Sequence, residues 1–219
     1  MLIGHIAVGL AAKPLAPKAS LGSLMVASTA IDTLCGVFML TGIESVDAAT
    51  GASSIPWSHG LFMAAVWSLA GLALAFLISR DPRTSIVIGL VVFSHWVLDW
   101  ISHPMGMGKE LPPDLPLLFA GSPKVGLGLY NSAVAALITE FGLFAAGIVV
   151  YLLTTRAGDR LGKWSFWLIP LFLFLIMIPA AMPQLALVPT LAMVLLLPLG
   201  NWVERHRTLK TASAPLARE

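Results

Sequence analysis

The sequence predicts an all-α fold, a polytopic membrane helix bundle of about six transmembrane helices plus a short N-terminal helix, on three observations. The 219 residues are 58% hydrophobic and only 11% charged, with a mean hydropathy of +0.88, far from the roughly 25% charge of ordinary soluble domains. Apolar runs close to the ~20 residues a helix needs to cross a bilayer recur along the chain. Lys and Arg gather in alternate connecting segments, as the positive-inside rule requires. No Ser/Pro-rich linker or charged spacer divides the sequence, so residues 1–205 read as a single bundle and 206–219 as a cytoplasmic tail.

Met1 to Ala12 is apolar but too short to span, and reads as an interfacial or partly inserted helix packed on the bundle. It has no cationic leader and Lys13 follows it, so a cleaved signal peptide is not expected. Spans then follow at Leu21 to Ile43, Trp57 to Ile78, Thr84 to Ile101, Leu129 to Leu153, Trp164 to Ala180 and Leu185 to Val203. With the segment before Leu21 in the cytoplasm, that side collects all but Lys109 and Lys124 of the 13 Lys and Arg residues. Both termini are therefore expected inside. The acidic residues do not discriminate: Glu44, Asp47, Glu110 and Asp114 fall outside, and Asp81, Asp159, Glu204 and Glu219 inside. The outer segments Glu44 to Pro56 and Pro104 to Gly128 are long and rich in Pro, Gly and Ser, which makes the outer face the working side. Pro104 disfavours helix at His103 and should end the third span there. The single cysteine, Cys35, excludes an internal disulfide and reads as a small core residue.

Within the third span the stretch Ser94 to His103, SHWVLDWISH, places ligand-type side chains where apolar ones belong. His95, Asp99 and His103 lie at i, i+4 and i+8, on one helical face that drifts by roughly 40° per step. Asp32 lies about halfway along the first span, Glu140 halfway along the fourth, and His59 near the outer end of the second. A charge at mid-membrane costs about 2.5–3.5 kcal/mol on insertion scales, so such groups face a bundle interior and mark function. Imidazole and carboxylate together suit zinc or a similar divalent ion, and more than four such groups leave room for two ions. The metal candidates are thus His5, Asp32, His59, His95, Asp99 and His103. His5 requires the first helix to enter the bundle. Glu140 and Asp114 are the candidate general bases; Glu44 and Asp114 also read as solvated rim residues, and His206 as part of a basic end. Serine precedes histidine at Ser58, Ser94 and Ser102, where a hydroxyl could orient the ring. There is no G-x-S-x-G elbow, no phosphate-binding glycine loop, and no basic patch for nucleic acid.

The series Gly4-His5, Asp32, Ser58-His59 and Ser94 to Asp99 resembles the bacterial membrane-bound metal-dependent hydrolases of the YdjM-like group, over about Met1 to Tyr151. That group shows His, Asp, Ser-His and Ser-His-x3-Asp in this order, a pattern distantly similar to zinc-dependent phospholipase C. The resemblance implies His5, Asp32, His59, His95 and Asp99 as ligands and the bacterial cytoplasmic membrane as location. The group often has Pro-Asp-x-Asp where this chain has Thr29, Ala30, Ile31 and Asp32, one carboxylate fewer. The function expected is hydrolysis of a phosphoester or other lipid-linked ester at the outer half of the membrane, dependent on one or two zinc-type ions. A metal-ion or proton-coupled transporter and a metal-stapled, non-catalytic scaffold remain as alternatives.

Overall fold

Helix forms in each of the six apolar runs in the computed structural model, which describes residues 1, 3–46, 53–104, 108, 110–180 and 188–210. The helices are α1 (Ile3–Ala12), α2 (Leu21–Ser28), α3 (Ala30–Leu40), α4 (Leu61–Ser79), α5 (Pro82–Ser102), α6 (Ala133–Thr154), α7 (Leu168–Ala180), α8 (Val188–Ala192) and α9 (Leu196–His206). Three of them, α4, α5 and α6, are long and apolar enough to cross a membrane; α2 and α3, bent by 55° at Thr29, add a fourth if taken as one span. The last two runs are more broken than the expected six spans: α7 has 13 residues, and α8 and α9 are separated by the 3-10 turn Met193–Leu195. Asp47, Lys109, Arg218 and Glu219, with most of the expected tail, lie outside the described residues.

The three long helices differ in what they face. Only 6% of the apolar window of α4 is buried, against 50% of that of α5. A helix apolar all round and exposed along its length belongs in lipid, whereas α5 is the interior element. Its start is fixed by Asp81, which accepts from the Thr84 N–H at 3.0 Å, with Pro82 in the first turn. Its helical residues end at Ser102, one short of His103.

The strands are short and confined to connections: β1 (Ser45–Val46) with β2 (Ser53–Ser54), β3 (Leu115–Pro116) with β4 (Lys124–Val125), and β5 (Thr155–Ala157) with β6 (Arg207–Leu209), all antiparallel. The β5–β6 pair ties the end of α6 to the end of α9, and the Arg207 guanidinium donates to the Gly162 carbonyl at 2.7 Å and to Thr155 Oγ1. At the same end Lys18 pairs with Asp81 at 2.7 Å, His206 with Asp159 at 2.7 Å, and Lys13 with Glu204. Segments assigned by charge to one face thus meet one another. At the other end Lys124 donates to the Ser53 carbonyl, joining the two outer segments.

The first helix packs on the bundle, one of the placements expected of it: at ten residues it is about 15 Å long, and His5, Ile6, Ala7, Gly9 and Leu10 are buried. Gly147 of α6 allows this. A Cβ there would sit 2.6 Å from Ala7 Cα and 2.7 Å from the Ala7 carbonyl oxygen, so only glycine lets the two backbones approach. Gly147→Leu is expected to push α1 off α6 and lower Tm by about 5–10 °C, the overpacking cost in a chain of this size. Thermal unfolding in detergent checks it.

Candidate metal centre

The break at Thr29 places two parts of the site. Asp32 falls in the first turn of α3, and the Ser28 carbonyl is left available to accept from His95 Nδ1 at 2.9 Å. On α5, His95 and Asp99 share a face one turn apart, as their spacing requires. His59 reaches the same point from the turn before α4, capped by Gly60. His5 arrives on α1. His5, His59, His95 and Asp99 are buried, and the Asp32 side chain is 16% exposed.

Two histidine nitrogens face two carboxylate oxygens. His59 Nε2 lies 3.4 Å from Asp32 Oδ1 and 3.3 Å from Asp99 Oδ2; His95 Nε2 lies 3.5 and 3.2 Å from the same two atoms. A tetrahedral zinc shell with bonds of about 2.0–2.1 Å has ligand atoms about 3.3 Å apart. Four of the six edges of such a shell lie near that value, among residues that fall into two three-residue groups sharing His95. They are also mostly longer than ordinary N–H···O hydrogen bonds, and His95 Nε2 is a buried atom with no hydrogen-bond partner despite its two carboxylate neighbours. An orphaned buried nitrogen costs about 1–3 kcal/mol, a cost that a cation at the centre of the four atoms would remove. The residues present could hold a metal ion.

The other ring nitrogens are engaged in a way that leaves Nε2 as the lone-pair atom. His95 Nδ1–H donates to the Ser28 carbonyl, so its Nε2 is unprotonated in the neutral ring. His59 Nδ1 is 2.7 Å from Ser58 Oγ, and that hydroxyl donates to Glu44 Oε2 at 2.6 Å. With its only hydrogen given to Glu44, Ser58 Oγ accepts from His59 Nδ1–H. The polarity needed for metal binding is therefore set at both rings.

His5 extends the cluster. Its Nε2 is 3.2 Å from Asp99 Oδ1, the oxygen turned away from the first four-atom group, and its ring stacks on His95 at 3.6 Å and 10°. Asp99 Oδ1 also accepts from the Met1 amino group at 2.7 Å. His5, His95 and Asp99 form one group with ligand spacing and Asp32, His59 and His95 another, sharing His95. The five residues that the resemblance implies as ligands thus come together.

The remaining candidates do not join them. His103 is the C-cap of α5, its N–H still bonded to the Asp99 carbonyl at 2.7 Å and its own backbone extended, and its ring is engaged by Asp114. Its Nδ1–H donates to Asp114 Oδ1 at 2.8 Å, and Asp114 Oδ2 accepts from Ser53 Oγ at 2.9 Å. Burial raises the Asp114 pKa, but the His103 hydrogen bond and charge, the Ser53 hydroxyl and Lys124 outweigh it and hold the carboxyl below its ordinary value. The His103 ring centroid lies 6.1 Å from that of His59, beside the cluster but in neither group. Glu140 accepts from the Gly4 N–H at 2.6 Å and from the Tyr130 hydroxyl, anchoring the start of α1.

Glu44 is the functional residue that sequence reasoning places least well. Far from being a solvated rim group, it is 2% exposed and takes the Trp57 and Ser58 N–H groups, both at 2.8 Å, in addition to the Ser58 hydroxyl. The recurring Ser-His pair points to Ser58, but Ser94 bonds the Val91 carbonyl of its own helix instead. Nothing local marks Ser28 or Tyr130. Cys35 packs with Ile55 and Leu115, as a small core residue. Compared with known protein families, curated proteins and solved structures, the chain matches none.

Proposed function

We propose that the protein is an integral membrane metal-dependent hydrolase of the YdjM-like type, acting on a phosphoester or other lipid-linked ester at the outer half of a bacterial cytoplasmic membrane. In this reading α7 and the α8–α9 run complete six crossings, with both termini cytoplasmic. The observation that carries it is the set of four Nε2-to-oxygen edges, 3.2 to 3.5 Å, among Asp32, His59, His95 and Asp99.

These four residues would hold a zinc-type ion, with His5 and the Met1 amino group on the other side of Asp99. When bound, the metal supplies Lewis acidity toward a phosphoester oxygen and acidifies water toward a pKa of about 7. Asp32 is the least buried of the four, its side chain 16% exposed. His103 and Asp114 handle the proton. With Nδ1–H held by Asp114, the His103 ring presents Nε2 as its basic atom, and the developing imidazolium is met by a carboxylate already in place. Ser53 and Lys124 hold that carboxylate and its strand in position. Glu140 keeps α1, and so His5, docked.

A closed shell of four protein ligands also favours a second reading, a metal staple without turnover. The two separate on measurement. Purified protein is expected to carry about one to two zinc ions per chain and to release phosphate or a headgroup from a panel of lipid phosphoesters, with chelator abolishing release and added zinc restoring it. Bound zinc with no product leaves the staple; metal-dependent ion flux in proteoliposomes with no product leaves a carrier.

A further inference from the structure

We propose that the apolar groove between α1 and α5 seats one acyl chain of an outer-leaflet lipid phosphoester, with the ester end of that chain at the His5–His95 stack. The proposal deepens the hydrolase reading above and rests on it for its turnover consequence. The groove holds about 210 Å³, and every side chain lining it is aliphatic. Ala12 and Val91 are buried at its floor, and Leu15 and Leu90, both more than half exposed, stand at its rims. The spacing of the lining residues ties it to the metal centre. On α1, Val8 and Ala12 follow His5 at i+3 and i+7; on α5, Val91 and Val87 precede His95 at i−4 and i−8. Those spacings continue the helical faces that carry the two stacked rings. The groove therefore begins one turn beyond the stack and runs for about 10 Å, from Val8 to Leu15, toward the end of the bundle where Lys18 pairs with Asp81.

Depth and size select the occupant. His95 lies seven residues before Ser102, the last residue of α5, about 10 Å in from that end. A phosphoester drawn that deep carries its chain past the middle of the bilayer, where the groove lies. A helix about 10 Å wide laid along the same length would fill several hundred Å³, so the groove excludes a helix of a second copy and admits a single hydrocarbon chain. Aliphatic walls gain little over lipid by hydrophobicity, since lipid tails are as apolar as leucine. What the groove supplies is contact on two sides, which holds the chain in line with the metal centre.

Photolabelling tests this in phosphatidylcholine vesicles containing phosphatidylglycerol that carries a diazirine either next to the ester or at the far end of one acyl chain, with labelled residues read by mass spectrometry. The ester-end probe is expected on Val8 and Val91 and the far-end probe on Leu15 and Val87, each several-fold above the labelling of Leu69 and Leu77, which lie exposed on α4. Ala11→Phe, at a partly buried position on the groove wall, should bring groove labelling down to the α4 level with thermal unfolding unchanged. In that variant, headgroup or phosphate release from a long-chain phospholipid should fall several-fold, while hydrolysis of an aryl phosphate without an acyl chain stays at the wild-type rate. Groove labelling no stronger than that of α4, or equal turnover of long-chain lipid by variant and wild type, overturns the proposal. The reverse depth order in the wild type overturns it as well, independently of any variant, since the headgroup would then sit at the Lys18 end and the chain would belong to the other leaflet. Groove labelling in the expected order, with no product from any substrate, removes the hydrolase reading and leaves the acyl-chain site standing.

Discussion

Asp99→Ala is expected to weaken metal binding by roughly 100-fold and to leave the protein less stable in the metal-loaded comparison, the largest effect on metal affinity of any single substitution in the site. Asp99 is the carboxylate that every histidine of the cluster faces: Oδ2 toward His59 and His95, Oδ1 toward His5. No other side chain there can replace it, since Asp32 Oδ1 already lies against His59 and His95. Structural zinc sites supply about 10–16 kcal/mol in apparent binding free energy, so one ligand in four is worth about 3 kcal/mol, or roughly 100-fold in affinity. Stabilisation by added zinc should shrink to match, because a ligand that binds only the folded state stabilises by its own saturation. Asp99→Asn keeps the volume and one neutral oxygen but removes the charge that pairs with the buried Met1 amino group, and should lose affinity together with some stability. His206→Ala, which removes the pair with Asp159 and the ring contact with Trp202 at the far end of the bundle, should retain wild-type zinc. Metal content by mass spectrometry and chelator competition decide the matter. Asp99→Ala with undiminished zinc would place the ion elsewhere in the protein.

What could be read in the sequence divides along physical lines. The helical class and the apolar runs follow from composition, because lipid leaves a chain little choice but to satisfy its own backbone. His95 and Asp99 were legible as partners, since i and i+4 on an uninterrupted helix share a face whatever surrounds them. His103 was not, because the same rule fails where Pro104 ends the helix, and the ring turns to Asp114 instead. The depth of α1 was hidden for a different reason. A ten-residue apolar segment is compatible with an interface or a core, and what decides is the close approach of Gly147 to Ala7, more than a hundred residues away in the chain. Glu44 was misplaced because a carboxylate in a polar loop is solvated by default. Its burial depends on the turn over residues 56–58, which aims two backbone N–H groups at it.

Glu140 separates an anchor from a proton carrier more sharply than any other residue, because two substitutions at it should behave in opposite ways. It stands in the middle of α6 and takes the Gly4 N–H and the Tyr130 hydroxyl, so it fixes the entry of α1 and the position of His5 one residue on. Glu140→Ala leaves those two buried donors without their acceptor, at about 1–3 kcal/mol each. The expected result is a loss of about 2–6 kcal/mol in stability, with zinc affinity falling as α1 and His5 loosen. Glu140→Gln retains an amide oxygen for Gly4 and offers an N–H to the Tyr130 oxygen, whose hydroxyl can rotate to accept it. That variant takes the carboxylate away from the Tyr130 hydroxyl hydrogen only, and is expected to lose less stability than Glu140→Ala while keeping zinc content and turnover, measured side by side by thermal unfolding, metal analysis and phosphate release. The opposite pattern, in which Glu140→Gln folds and holds zinc but releases no product, would give Glu140 the general-base role that its mid-membrane position suggests from sequence, and would move the proton away from His103 and Asp114.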